Sequence, residues 1–111
     1  MKEKEKLDFN EGTVSFWIPE GRIDYDDNKF AQLFYYKEGD SIIKVIKDED
    51  NGLKVYYLYE GNKCRLNTPV ETLDDKDKHM ITITWNLAER KVKLYIDGEL
   101  EKEGDIEVAP F

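Results

Sequence analysis

His79-Met80-Ile81-Thr82-Ile83-Thr84-Trp85 and Val92-Lys93-Leu94-Tyr95-Ile96-Asp97-Gly98 are the two stretches whose reading decides the fold. In the first, Ile81, Ile83 and Trp85 alternate with Met80, Thr82 and Thr84. In the second, Val92, Leu94 and Ile96 alternate with Lys91, Lys93 and Tyr95. Successive side chains of a strand point to opposite faces, so a strict period of two describes a strand with one face on a core and one in water. The link from Asn86 to Arg90 is too short to hold a helix, which makes the two strands antiparallel neighbours. Asp97-Gly98 then turns the chain into a further strand over Glu99 to Lys102.

The same grammar runs outward in both directions. Gly12 to Ile18 is a β-branched and aromatic run closed by Pro19 and Gly21. Phe30 to Tyr36, Ser41 to Lys47, Leu53 to Tyr59 and Lys63 to Asn67 read as four more strands, and Ile106-Glu107-Val108 as a last edge strand. Asn51-Gly52 is a strong hairpin signal, so the strands on either side of it should pair. The charged stretches Lys2 to Asp8 and Glu99 to Glu103 suit sheet edges, where alternating Lys and Glu oppose unwanted pairing. No segment repeats an apolar residue at the helical period. Short strands every 8 to 12 residues with glycine turns predict an all-β protein, an antiparallel β-sandwich or barrel. Trp17 and Trp85, alternating with Phe and Ile, are expected in its core.

Composition restricts function. The 111 residues form one domain, 1–111, and 38% of them are charged, with 25 acids against 17 bases and a net charge of -8. Binding to a phosphate backbone rests on Lys and Arg, so nucleic acid is not an expected partner, and anionic lipid is disfavoured for the same reason. No apolar run approaches the ~20 residues of a membrane helix, so no membrane insertion is expected. The N-terminal Met1-Lys2-Glu3-Lys4-Glu5-Lys6 is unlike a signal peptide. The expected location is the cytoplasm, or the cell exterior if the chain is part of a longer exported one. Cys64 is the only cysteine and His79 the only histidine, so neither a disulfide nor a zinc ribbon is available. Cys64 reads as a buried strand residue and His79 as a structural hydrogen-bonding group.

Three segments in order carry a family resemblance: Gly12-Thr13-Val14-Ser15-Phe16-Trp17-Ile18-Pro19, His79-Met80-Ile81-Thr82-Ile83-Thr84-Trp85-Asn86, and Val92-Lys93-Leu94-Tyr95-Ile96-Asp97-Gly98. Together they resemble the laminin-G-like branch of the concanavalin A-like lectin/glucanase jelly rolls, over about Phe9 to Lys102. Two departures stand out. Lys78 precedes His79 where the family usually has tryptophan, and the first two motifs are closely spaced. A trimmed jelly roll, or a fragment completed by strands from elsewhere, would account for the spacing. The resemblance implies binding of carbohydrate or protein, often with calcium at the sandwich rim, and in a minority hydrolysis of polysaccharides.

The residues decide which of these to expect. The hydrolases carry Glu-x-Asp-x-x-Glu on one strand, which places acid and nucleophile on one face. No such motif occurs here: Glu71-Thr72-Leu73-Asp74 has the wrong period, and Glu99 to Glu103 reads as an edge. A catalytic role is therefore not expected, and a polysaccharide hydrolase ranks third. Calcium is the candidate cofactor, with Asp24, Asp26 and Asn28 offering oxygens at alternate positions of an acidic loop. Solvated turn chemistry in an acidic protein explains the same residues. Aromatic rings make platforms for the apolar faces of sugars. On Leu53 to Tyr59, Val55, Tyr57 and Tyr59 share one face and Lys54, Tyr56 and Leu58 the other. Tyr35, Tyr57, Tyr59 and Arg65 are the candidate ligand-binding residues. The leading expectation is a non-catalytic carbohydrate-binding module. The alternative is a structural or self-association module, in which tyrosines line a protein interface and the chain forms a homodimer.

Overall fold

A computed structural model describes residues 8–19, 29–50, 52–69 and 78–107. Eight strands run through them: β1 (Glu11–Ile18), β2 (Ala31–Glu38), β3 (Ser41–Lys47), β4 (Gly52–Tyr59), β5 (Asn62–Pro69), β6 (His79–Asn86), β7 (Lys91–Ile96) and β8 (Glu99–Asp105). They form two four-stranded antiparallel sheets, β1-β6-β7-β8 and β2-β3-β4-β5, packed as the expected β-sandwich. Among the described residues there is no helix.

Hairpin chemistry fixes the register. Glu60 and Gly61, both with positive φ (50° and 84°), turn β4 into β5, and Asp97 and Gly98 (53° and 87°) turn β7 into β8. Two successive positive φ values match the right-handed twist of the strands they join. β3 and β4 pair from Ile42↔Leu58 to Lys47↔Leu53, the hairpin expected from Asn51-Gly52; Asn51 lies outside the described residues. Asp48 shapes that turn, its Oδ1 accepting from the backbone N–H groups of Asp50 and Gly52, both at 3.0 Å.

The core lies between the sheets. Ile81, Ile83 and Trp85 of β6 and Val92, Leu94 and Ile96 of β7 meet Ile43, Val45, Leu53, Val55, Tyr57 and Leu66 of the other sheet. Residues 8–10 plug one end. The Phe9 ring packs against those of Tyr36, Tyr57 and Tyr59 at 5.8, 6.4 and 5.3 Å between centroids. The Trp85 indole N–H donates to the Asp8 carbonyl at 2.6 Å. Where β8 meets β5, Gly104 has no Cβ to spare: one would stand 2.7 Å from Leu66 Cδ2. The edge there is sealed by reciprocal backbone bonds between Lys63 and Glu107, at 2.9 and 2.7 Å. Of the expected last strand at Ile106 to Val108, Glu107 forms this bridge and Ile106 is buried, while Val108 lies outside the described residues. On the opposite side, Phe16 of β1 stacks on Phe34 of β2 at 5.5 Å.

One expectation needs correction. Trp17 is not a core residue: 56% of it is exposed. β1 pairs with β6 so that Trp17 faces Met80 and Phe16 faces Ile81. Phe16 and Ile18 occupy the inner face, and the period of two leaves Trp17 outside, beneath the Lys78 ammonium at 4.9 Å from its ring centroid. In β2 the register with β3 shifts between Gln32 and Phe34. The extra residue, Leu33, leaves both Leu33 and Phe34 half-buried.

Candidate functional site

The hairpins β2-β3, β3-β4 and β4-β5 bring one row of side chains together across the whole second sheet. Tyr35 pairs with Lys44, Lys44 with Tyr56, and Tyr56 with Arg65. Directly opposed residues of antiparallel strands share a face. This row stands on the face away from the core, because the neighbouring row of Tyr36, Ile43, Tyr57 and Cys64 points inward. The result is a line of ring, cation, ring, cation, with Tyr35 47% exposed. The Lys44 ammonium lies 4.9 Å from the centre of the Tyr56 ring.

The rows on either side extend the pattern. Lys37, Ile42, Leu58 and Lys63 form one, and Gln32, Ile46, Lys54 and Asn67 the other. These outward positions therefore carry Lys37, Lys44, Lys54, Lys63 and Arg65 and no Asp or Glu, in a chain whose net charge is -8. Lys54 is neutralised by Asp48, with Nζ 2.7 Å from Oδ2. The Lys54 ammonium and the Gly52 N–H hold the Asp48 carboxyl below its ordinary pKa. Lys37, Lys44, Lys63 and Arg65 are in no ion pair among the described residues. Ile42, Lys44, Tyr56, Leu58, Lys63 and Arg65 line an open groove of about 640 Å³, with the buried Tyr57 and Cys64 also in its lining and Asp105 and Glu107 bounding it beyond β5. That volume lies within the range of small-ligand sites, roughly 300–1,000 Å³.

Of the residues singled out from the sequence, Tyr35 and Arg65 stand on this face and in one row. Tyr57 does not. It is 2% exposed, and its hydroxyl donates to the Phe9 carbonyl at 2.5 Å. Burial, together with the nearby Tyr59 and Asp8, pushes its phenol up to about 12. Tyr59 also points inward, its ring stacked on Phe9. Tyr57 is corrected from a ligand-binding to a core position and Tyr59 to a half-buried one packed against the core, and Tyr56 and Lys44 replace them on the outer face. The turn at Glu60-Gly61 carries the signal that finds this, since closing the hairpin there sets Arg65 opposite Tyr56. Asp24, Asp26 and Asn28, the candidate calcium ligands, lie outside the described residues. Among the described residues no group of three or more His, Cys, Asp and Glu side chains converges.

Cys64 and His79 have structural surroundings. Cys64 is buried, and its thiol is pushed up to about 11 by that burial and by the carboxylates of Asp105 and Glu107. A thiol held protonated in this way is a poor nucleophile. His79 is buried with Nδ1 2.7 Å from Asp97 Oδ2. Burial acts to raise the Asp97 carboxyl, but the bonds from His79 and from the Met80 N–H at 2.9 Å outweigh it and hold the pKa low. The pair fastens the β7-β8 turn to the start of β6.

With this geometry in hand, comparison with known proteins gives no match: no family model, curated protein or solved structure is similar to the chain. The residues themselves therefore carry the functional reading.

Proposed function

We propose that this chain is a non-catalytic carbohydrate-binding module whose ligand lies across the outer face of β2-β3-β4-β5. The observation that carries the reading is the in-register row Tyr35, Lys44, Tyr56, Arg65. Phenol rings cover the apolar faces of pyranoses, while ammonium and guanidinium groups donate to ring substituents and fix orientation. Strands lie about 4.8 Å apart, so the two tyrosines, two strands apart, are separated by about 10 Å, within reach of linked sugar units. The resemblance to laminin-G-like domains supports the same class of ligand. Titration of a polysaccharide panel against the chain and its Tyr56→Ala variant tests the reading. Binding that falls sharply in the variant supports it, and binding that is unchanged removes the site. Repeating the panel with EDTA reads whether calcium takes part.

A second reading, self-association, is favoured by the outer face of the other sheet. Tyr95 there pairs with Leu100, and Trp17 with Met80. Trp17 and Leu100 are both about half exposed. Exposed apolar groups that form one contiguous patch mark protein contacts. Light scattering of the chain and of its Trp17→Ser variant decides: a dimer lost in the variant supports this reading, and a monomer at high concentration rejects it.

A further inference from the structure

The charge on the sugar-binding face is the opposite of the protein's own. Random placement of an acid-rich set of charges would put carboxylates on the outward positions of β2 to β5. Instead those positions hold Lys37, Lys44, Lys54, Lys63 and Arg65 alone. The outer face of the first sheet shows what a solvated face of this chain otherwise looks like. There Lys91 is bonded to Asp105 at 2.6 Å, and Lys93 faces Glu103 across the strands. Signs are mixed on one face, whereas the outward positions of β2 to β5 carry cations only and the carboxylates of Asp105 and Glu107 stand beyond β5, Glu107 opposite Lys63. Lys37, Lys44, Lys63 and Arg65, in no ion pair among the described residues, repel one another within the sheet, a cost that an anionic ligand removes.

We infer, resting on the carbohydrate reading above, that the ligand of this face is a polyuronate, a polysaccharide in which each stacking sugar carries one carboxylate. The spacing of cations argues for one anion per sugar. In the central row each cation is separated from the next by a ring, and in the adjoining row Lys37 and Lys63 are separated by Ile42 and Leu58. Along β5, Lys63 and Arg65 are same-face neighbours, so heparin in the test below reads whether a more densely charged chain is held as well. Arg65 is placed to take a carboxylate through two parallel N–H donors, and Lys44 and Lys63 as point charges. Glu107 stands at the rim of the groove, opposite Lys63, where it accepts from sugar hydroxyls and repels a chain overrunning β5. The aromatic contacts supply affinity for any pyranose, and the cations select the acid form.

The test compares polygalacturonate and alginate with fully methyl-esterified pectin, neutral xylan, heparin and a single-stranded oligonucleotide, by titration at low and high salt. Esterification keeps the sugar ring and removes only the charge. The expected result is binding to both polyuronates, weakened by about tenfold or more on esterification, as loss of charge-assisted hydrogen bonds requires. It also weakens with salt, because exposed charges are screened. Arg65→Gln and Lys44→Gln should each reproduce the loss, while Lys93→Gln on the other sheet leaves binding intact. All three positions are solvent-facing, and an unchanged melting temperature shows that the variants fold. Equal binding of acid and ester, or a preference for xylan, overturns the inference and leaves the carbohydrate reading standing. Tighter binding of heparin or of the oligonucleotide also overturns it, in favour of another polyanion. No binding to any polysaccharide overturns both.

Discussion

Gly12 lies directly beneath the indole of Trp85: a Cβ on Gly12 would stand 2.5 Å from Trp85 Cζ2 and 2.9 Å from Cε2. The two residues are opposed across β1 and β6. The neighbouring indole N–H is held by its bond to the Asp8 carbonyl. That bond fixes the same edge of the ring that passes over residue 12, and the absence of a side chain there makes room for it.

Gly12→Ala should therefore cost about 1–3 kcal/mol through overpacking. The clash is with the six-membered ring of the indole, so in a Trp85→Phe background the same substitution should cost about 1 kcal/mol less. Urea unfolding of the four proteins measures this coupling. Additive effects would mean that the contact does not constrain β1.

Trp17 and Trp85 should report opposite environments. In Trp85→Phe, the remaining Trp17 fluorescence should be quenched readily by acrylamide. In Trp17→Phe, the remaining Trp85 should be shielded and blue-shifted. Equal quenching of the two would contradict the register of β1 on β6.

Alkaline pH should weaken the fold before it ionises the core. The unfolded chain releases the Cys64 and Tyr57 protons near their ordinary values of 9.0 and 10.0, whereas the folded chain holds them to about 11 and 12. Between these limits the unfolded state binds fewer protons than the folded one, so stability falls as pH rises, over about 9–11 for Cys64 and about 10–12 for Tyr57. Urea midpoints at pH 8 and 11 should show the decline, and Cys64→Ser with Tyr57→Phe should flatten it. Tyr57→Phe also leaves the Phe9 carbonyl without its donor, at a cost of about 1–3 kcal/mol at neutral pH.

A thiol reagent checks the same pocket directly. Cys64 should stay unmodified in the native protein at pH 8 and react at once in denaturant, because burial both shields the sulfur and keeps it protonated. Prompt reaction in the native state would place Cys64 on an open edge.

The contrast between β6 and β4 shows what the sequence could and could not reveal. On β6 one face is Ile81, Ile83 and Trp85 and the other is Met80, Thr82 and Thr84, so chemistry alone tells inside from outside. On β4 each face carries tyrosine, with Val55 and Tyr57 on one and Tyr56 and Leu58 on the other. Period two divides such a strand without saying which half is buried. The neighbours decide: Tyr57 is flanked by Ile43 and Cys64, Tyr56 by Lys44 and Arg65. Trp17 went astray for a related reason, since Phe16, Trp17 and Ile18 are consecutive large apolar residues and no strand can bury all three on one side. The basic face was hidden by the net charge, which averages over surfaces that the fold keeps apart.

The central claim is that the outer row of β2 to β5, and not the tyrosines of the core, holds the ligand. Affinity for polygalacturonate, measured by titration for the wild-type chain, Tyr56→Ala and Tyr57→Phe, tests it most directly. The account predicts that Tyr56→Ala abolishes binding while the melting temperature stays within a degree or two, and that Tyr57→Phe lowers the melting temperature while binding persists below it. Retained affinity in Tyr56→Ala, or loss confined to folded Tyr57→Phe, would contradict it.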